Sequence, residues 1–150
     1  MSDTKKSLSA KRYLEQLQEL DTKINQNLER LAEMKEDATS AGGIDYSKER
    51  VQTSCSGDSL GNAVTRYVSF DEQINAEIDR FVDAKNQIID EIRGLHVNNY
   101  IQVLFKVYVQ FKSIKVAASE MNMSYPYVRE VHKKALAMFE ETYKNLHYLT

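Results

Sequence analysis

Two long stretches of apolar residues at helical spacing constrain the fold of this chain more than any other feature. The first stretch steps by three or four residues, with one step of seven across Asn27, and consists of Tyr13, Leu17, Leu20, Ile24, Leu31, Met34 and Ala38. The second places an apolar residue every seven positions, at Leu60, Tyr67, Ile74, Phe81, Ile88 and Leu95. Both patterns predict a long amphipathic helix with one apolar stripe to bury.

The partner of each stripe is left open by the pattern. The two stripes can cover each other in an antiparallel hairpin, or each can pair with its copy in a homodimer. A second row on the later helix includes the charged residues Asp71 and Lys85. Because burying a charge in a dry interface is costly, we expect both side chains to be hydrated or paired.

The segment between the two stripes has the composition of a loop. It contains Gly42-Gly43 and Ser56-Gly57-Asp58-Ser59, which are turn signals, and few apolar residues. We therefore predict a flexible linker at about 39–59, with the second helix starting near Asp58 or Ser59. A further break follows Gly94. The expected organisation is an all-α chain with a coiled-coil region at 1–95 and a second domain at 96–150.

The last third of the chain has the spacing of a helix-turn-helix. Ser113 and Ser124 are placed to cap two helices, and Asn122 between them tolerates a left-handed turn. Ala118 is small where such helices cross. Pro126 is the only proline and falls in a first turn, where its missing N–H costs least. The predicted core residues are Ala117, Met121, Met123, Val128 and Val131.

The opposite face of the last helix is then predicted to point outward. Recognition helices place side chains from their first turns on base edges, while neighbouring basic groups hold phosphates. We assign Arg129 and Glu130 to base edges and the lysines to phosphates. The predicted DNA-binding residues are Lys112, Lys115, Tyr125, Tyr127, Arg129, Glu130, His132, Lys133 and Lys134.

The charge distribution agrees with this assignment, although the whole chain carries a formal net charge of −2. Residues 99–150 contain seven Lys or Arg against four Asp or Glu, a net charge of +3, and the rest of the chain is net −5. An asymmetry of this kind favours a polyanion site in one part of the chain only.

At residues 113–118 and 124–136 the sequence resembles DNA-binding region 4 of bacterial sigma factors. The resemblance is strongest at Val128-Arg129-Glu130-Val131 and at Lys134-Ala135-Leu136. Residues 35–40, 61–64 and 77–80 resemble short proteins of Gram-positive phages and integrated elements, which are related to ArpU-type phage late-gene transcriptional regulators. The resemblance covers about residues 30–140. It implies binding to promoter-region DNA and raises RNA polymerase as a second partner.

The chain departs from sigma factors at the start of the recognition helix. Tyr125 and Pro126 stand where sigma factors usually carry Arg and Glu, whereas Arg129 is kept and Glu130 replaces a common Gln. We therefore do not expect the usual sigma-factor promoter element as the target. The sigma regions that melt DNA have no counterpart here, so a complete sigma factor is not expected.

No catalytic or metal-binding pattern is found. His96, His132 and His147 have no ligands at metal-binding spacing, and Cys55 has no activating neighbours. We predict no enzymatic activity, no cofactor and no metal. No window approaches the roughly 20 apolar residues that cross a membrane, and no signal peptide is visible. A single cysteine fits a reducing compartment, so the expected location is the cytoplasm of a bacterial host.

These observations predict a transcriptional regulator of a phage or mobile element that binds double-stranded DNA through its helix-turn-helix. The long helices would provide a homodimer or a partner contact. Two alternatives remain: a DNA-packaging protein similar to small terminase subunits, which also join a helix-turn-helix to oligomerising helices, and a coiled-coil adaptor without a DNA role.

Overall fold

The computed structural model describes residues 7–41 and 56–149, with side chains for 7–39 and 61–149. Every regular element in these ranges is helical. The elements are α1 (Ala10–Ala41), α2 (Ser56–Arg93), α3 (Asn98–Leu104), a π-helical turn that continues α3 (Phe105–Val109), α4 (Ile114–Glu120) and α5 (Tyr125–Thr142). The prediction of an all-α chain with a long first helix is confirmed.

Both long helices extend into the segment predicted as a linker. α1 continues to Ala41, and α2 begins at Ser56, before the expected start at Asp58 or Ser59. The helix ends thus lie a few residues inside the approximate linker limits, since Ser, Thr and Gly cost at most about 1 kcal/mol each inside a helix and do not end one alone. The rest of the predicted linker, residues 42–55, lies outside the described residues.

The chain divides into two compact units, and each contains part of both long helices. The first consists of Met1–Asp21 and Arg80–Thr150, and the second of Thr22–Asp79. This division differs from the boundary predicted between residues 95 and 96. The reason is that the first turns of α1 and the last turns of α2 share one core with the C-terminal helices.

The core of the first compact unit joins α1, α2, α3 and α5. Its fully buried side chains include Leu14, Leu17, Ile88, Ile92, Leu104 and Phe139. The Tyr13 ring lies against Phe139 with centroids 5.8 Å apart, and its hydroxyl donates a 2.6 Å hydrogen bond to the Glu91 carboxylate. Burial, followed by the Glu91 hydrogen bond, raises the pKa of Tyr13, so the phenol stays protonated and remains a donor.

The segment after α5 closes this unit by hydrogen bonding to the start of the chain. The backbone N–H of Leu8 donates to the carbonyl of Leu146 at 2.8 Å, and that of Leu149 donates to Gln16 Oε1 at 2.9 Å. The amide nitrogen of Gln16 in turn donates to the carbonyl of Tyr13 at 2.6 Å. Gln16 is the one buried polar residue in the part of the chain that the structure describes, and both ends of its amide are satisfied.

In the second compact unit α1 and α2 pair antiparallel. The pairs that define this direction are Asn27 with Glu77, at 2.8 Å, Arg30 over the Phe70 ring, at 5.5 Å, and Lys35 over the Tyr67 ring, at 5.9 Å. Rising residue numbers on α1 are paired with falling residue numbers on α2, so the two helices run in opposite directions. This pairing within one chain is one of the two arrangements that the sequence left open, and homodimerisation stays a prediction.

The charged positions of the second row are not in a dry interface. Asp71 and Lys85 are both partly exposed, and the Lys85 ammonium lies 5.9 Å from the centroid of the Phe81 ring. This placement agrees with the expectation that both side chains would be hydrated or paired. Val64, seven residues before Asp71 and therefore in the same row, is exposed as well. Only part of this row of α2 therefore contributes to the core.

Gly94, in the turn after α2, offers a test of the packing in the first unit. A Cβ at this position would overlap the hydroxyl of Tyr143, which donates to the carbonyl of Glu91 at 2.7 Å. Gly94→Ala should therefore lower the free energy of unfolding by about 1–3 kcal/mol, as expected for overpacking. Urea denaturation followed by circular dichroism measures the change.

The Tyr143→Phe variant removes the overlapping oxygen and serves as the control. The cost of Gly94→Ala should be smaller in the Tyr143→Phe background than in the native one, which a double-mutant cycle detects. Equal costs in the two backgrounds would show that the Tyr143 hydroxyl does not limit position 94.

Candidate nucleic-acid interface

Side-chain caps define the starts of α4 and α5. Ser113 Oγ accepts a hydrogen bond from the backbone N–H of Val116 at 3.2 Å, and Ser124 Oγ accepts one from that of Tyr127 at 3.4 Å. Both serines have extended backbone geometry, which is typical of N-cap residues. The two caps lie where the sequence placed them.

The turn between α4 and α5 is short and has the predicted geometry. Asn122 adopts a left-handed conformation with φ of 55°. The backbone N–H of Met123 donates to the carbonyl of Ala118 at 3.0 Å, which closes the end of α4. Pro126 lies in the first turn of α5.

α3, α4 and α5 pack together around a small apolar cluster. Its buried members are Val103, Ala118, Val128 and Val131, and Met121 and Met123 lie partly buried beside it. Ala117 is fully buried as well. The five residues predicted for the core of the helix-turn-helix therefore all face the interior, three of them buried and two partly buried.

Burial of one side of α5 leaves the other side in solvent. Val128, Val131, Ala135 and Phe139 are buried at successive helical steps. The exposed side, which we name the outer face, consists of Tyr125, Tyr127, Arg129, Glu130, Lys133 and Lys134. Lys115, at the start of α4, is exposed too.

Two weak polar contacts occur on this surface. The Lys115 ammonium lies 5.9 Å from the centroid of the Tyr125 ring, which brings a cation from α4 to the first residue of α5. Lys133 Nζ lies 3.6 Å from Glu130 Oε1 one turn away. Exposed pairs of this kind contribute at most about 1 kcal/mol, so both lysines can exchange their partners for a ligand.

His132 is less exposed than the other predicted DNA-binding residues of α5. Its ring stacks on Tyr108, with centroids 5.7 Å apart, and its Nε2 shares a 2.8 Å hydrogen bond with the Tyr108 hydroxyl. Burial, followed by the charge of Lys11, lowers the pKa of His132. Position 132 follows the buried Val131 and precedes Ala135 by less than a turn, so it lies at the edge of the buried side rather than on the outer face.

Lys112 is not free for a ligand in this structure. Its ammonium contacts both carboxylate oxygens of Glu120, at 2.7 and 2.9 Å, and the Lys106 ammonium contacts the same carboxylate at 3.1 Å. The hydrogen bond from Lys112, followed by that from Lys106, lowers the pKa of Glu120. Lys112 was predicted to bind phosphates, whereas Lys106 and Glu120 were not among the predicted site residues.

The backbone between α3 and α4 explains why this cluster was missed. The π-helical turn is followed by Phe111 in a left-handed conformation with φ of 57°, and the N–H of Lys112 donates to the carbonyl of Lys106 at 3.0 Å. The chain therefore reverses between the two lysines. Lys106, Lys112 and Glu120 lie in the π-helical turn, in the segment after it and in α4, so no single helical pattern in the sequence relates them.

Metal-ligand clusters and membrane-spanning helices are both absent from the described ranges, 7–41 and 56–149. No group of three or more His, Cys, Asp or Glu side chains there could hold a metal ion. None of the helices found there is long and apolar enough to cross a membrane.

Comparison of the chain with known proteins gives no match to a protein-family model, to a curated protein or to a solved structure.

The His132–Tyr108 contact makes a prediction about stability and pH. An unfolded histidine has a pKa of about 6.5, and the folded protein binds this proton less readily, so the free energy of unfolding should fall as the pH drops below about 6.5. Replacing His132 by Gln removes the titration. The loss of stability between about pH 7.5 and about pH 5.5 should be smaller in this variant, as measured by chemical denaturation.

His147→Gln is the matched control, because His147 is exposed in the same compact unit. This variant should lose stability on acidification much as the native protein does. A native-like decline in His132→Gln would mean that His132 does not contribute to the acid sensitivity.

Proposed function

We propose that this protein is a DNA-binding transcriptional regulator of a phage or mobile element, and that α4 and α5 are its recognition unit. The observation that supports the proposal most is the outer face of α5. Caps and an early proline define the start of this helix, one side of it is buried, and the other side exposes Arg129, Lys133 and Lys134. This is the arrangement that a recognition helix requires.

The charge of this region favours a polyanionic partner. Residues 112–134 contain five Lys or Arg against two Asp or Glu, which accounts for the whole basic excess of the last third of the chain. Glu120 is already paired with Lys106 and Lys112. The cations on α4 and α5 that remain open to a ligand are Lys115, Arg129, Lys133 and Lys134.

Different roles follow from position and side-chain chemistry. Arg129 lies one turn into α5, where it can donate two hydrogen bonds to a guanine edge, and Glu130 beside it can accept from cytosine. Lys115, Lys133 and Lys134 carry mobile point charges, which suit phosphates. His132 has no role at the DNA in this proposal, because its ring is stacked on Tyr108.

Regulation, the phage or mobile-element setting and the bacterial cytoplasm are proposed on the resemblance to sigma region 4 and to ArpU-type regulators. The same resemblance makes RNA polymerase a candidate partner. If two copies associate through α1 and α2, their recognition helices would read half-sites about 34 Å apart, or a multiple of that distance. The target would then be a palindrome.

A phosphate role for Lys133 predicts a change in salt dependence. Lys133→Ala should weaken binding to all duplex sequences and reduce the slope of log K against log salt by about one. Fluorescence anisotropy with a labelled duplex, measured over a range of salt concentrations, gives the slope. Lys23→Ala is the matched control, because Lys23 is an exposed lysine of the second compact unit and should leave the slope unchanged.

Two outcomes would count against this assignment. An unchanged slope in Lys133→Ala would remove this lysine from the interface. Absence of salt-sensitive binding to any duplex at low ionic strength would contradict the proposed function and favour the adaptor alternative.

Release of the lysines that Glu120 holds should strengthen DNA binding. In Glu120→Gln the charge that pairs with Lys106 and Lys112 is lost, so both cations become available to phosphates, and the salt slope should increase by about one to two. Glu29→Gln, at an exposed glutamate of the second compact unit, is the matched control for the change in net charge.

Two explanations for a steeper slope are possible: release of Lys112, and loss of the repulsion between the Glu120 carboxylate and the DNA phosphates. The double variant Glu120→Gln with Lys112→Ala separates them. If release is the cause, the gain in slope should shrink in the double variant. A gain that persists when Lys106 is replaced as well would assign the effect to the removed negative charge alone.

A further inference from the structure

The start of the proposed recognition helix exposes aromatic side chains, whereas the resemblance to sigma factors implies a charged Arg and Glu there. Tyr125 is 39% exposed and Tyr127 is 50% exposed, and Val116 on α4 is 46% exposed. These residues are three of the eight large hydrophobic side chains that lie exposed in the described part of the chain. Water contact of this extent is unfavourable for apolar surface, so a ligand that covers it gains free energy.

Neither tyrosine has a structural role that explains its position. Tyr125 and Tyr127 belong to neither of the two apolar clusters. Neither hydroxyl forms a side-chain hydrogen bond within the described residues, and the Tyr125 ring has a cation–π contact with Lys115. Tyr127 contributes its backbone N–H to the Ser124 cap, which any residue except proline would supply.

The placement of the two rings fits a groove rather than a flat surface. Residues two apart on a helix are separated by about 200° around its axis, so the rings lie on either side of Pro126. The first turn of a recognition helix is the part that approaches base edges. The first three residues of α5 are two tyrosines on either side of a proline without an N–H, and none of the three is charged.

Thymine is the base that such a surface suits. Each base pair presents a distinct pattern in the major groove, and the one apolar group in it is the C5 methyl group of thymine. The Lys115 ammonium lies 5.9 Å from the centroid of the Tyr125 ring, and Arg129 follows Tyr125 by one turn of α5, so both cations are placed to complement the phosphates beside the bases. A duplex therefore satisfies both the apolar centre and the charged border of this surface.

We propose that Tyr125 and Tyr127 contact thymine methyl groups in the major groove, so that the DNA target contains A·T pairs opposite the start of α5. This inference rests on the proposed function and adds the class of sequence that the site prefers. It also explains why the positions that carry Arg and Glu in sigma factors are aromatic and proline here.

Uracil tests the proposal directly, because it differs from thymine only by the missing C5 methyl group. The full chain selects duplexes from a random library, and the selected duplex is then made with uracil in place of thymine at single positions. At one or two positions the substitution should weaken binding about fourfold, the effect of losing contact with one methyl group. Anisotropy titrations measure the ratio of the dissociation constants.

The variants assign the effect to the tyrosines. Tyr125→Ala and Tyr127→Ala should each make binding insensitive to uracil at one position, while Tyr127→Phe should retain the sensitivity. Both side chains are exposed, so the melting temperature should change little, and its measurement checks that each variant is folded.

The outcomes separate this inference from the proposed function. Salt-sensitive binding with no position sensitive to uracil would overturn the thymine contact and leave the DNA-binding function standing. Sensitivity to uracil that persists in both alanine variants would also overturn it. If no duplex is selected and none binds at low salt, the proposed function fails and the inference fails with it.

Discussion

The burial of one side of α5 is the constraint on which the rest of the molecule depends. Val128 and Val131 close the small cluster with α3 and α4, and Ala135 and Phe139 continue the same stripe into the core formed by α1 and α2. One helix therefore belongs to two apolar clusters. Because its rotation is set by both, the side chains on its outer face have directions that a free helix could not hold. The candidate interface is in this sense a consequence of the core.

The fold could be predicted where a local rule decides the conformation. The apolar stripes indicated the long helices, and Ser113, Asn122 and Ser124 indicated the helix-turn-helix, because caps and left-handed turns depend on residues a few positions apart. The ends of the helices and the limits of the compact units were harder to predict from the sequence. α2 starts before the predicted capping residues, and the compact units divide the long helices at residues 21 and 80, where no change in composition occurs. These limits are set by packing between distant segments.

The site was predictable to the same extent. Exposure of Tyr125, Arg129 and Lys133 follows from the period of α5 alone. The pairing of Lys112 with Glu120 does not, since Lys112 follows the left-handed residue Phe111. Nor does the stacking of His132 on Tyr108, since Tyr108 lies in the π-helical turn after α3. In the structure the Lys112 ammonium is therefore paired with a carboxylate, and the His132 ring is stacked and partly buried. The other predicted DNA-binding residues are all exposed.

The most direct measurement of the central claim is a chemical-shift map of the complex. Amide resonances of the isotope-labelled chain would be followed by nuclear magnetic resonance during titration with a short duplex at low salt. The account predicts that the largest changes fall on the first turns of α4 and α5, at residues such as Lys115, Tyr125 and Arg129, and that the second compact unit, Thr22–Asp79, changes little. No shifts at all, or shifts confined to Thr22–Asp79, would contradict it.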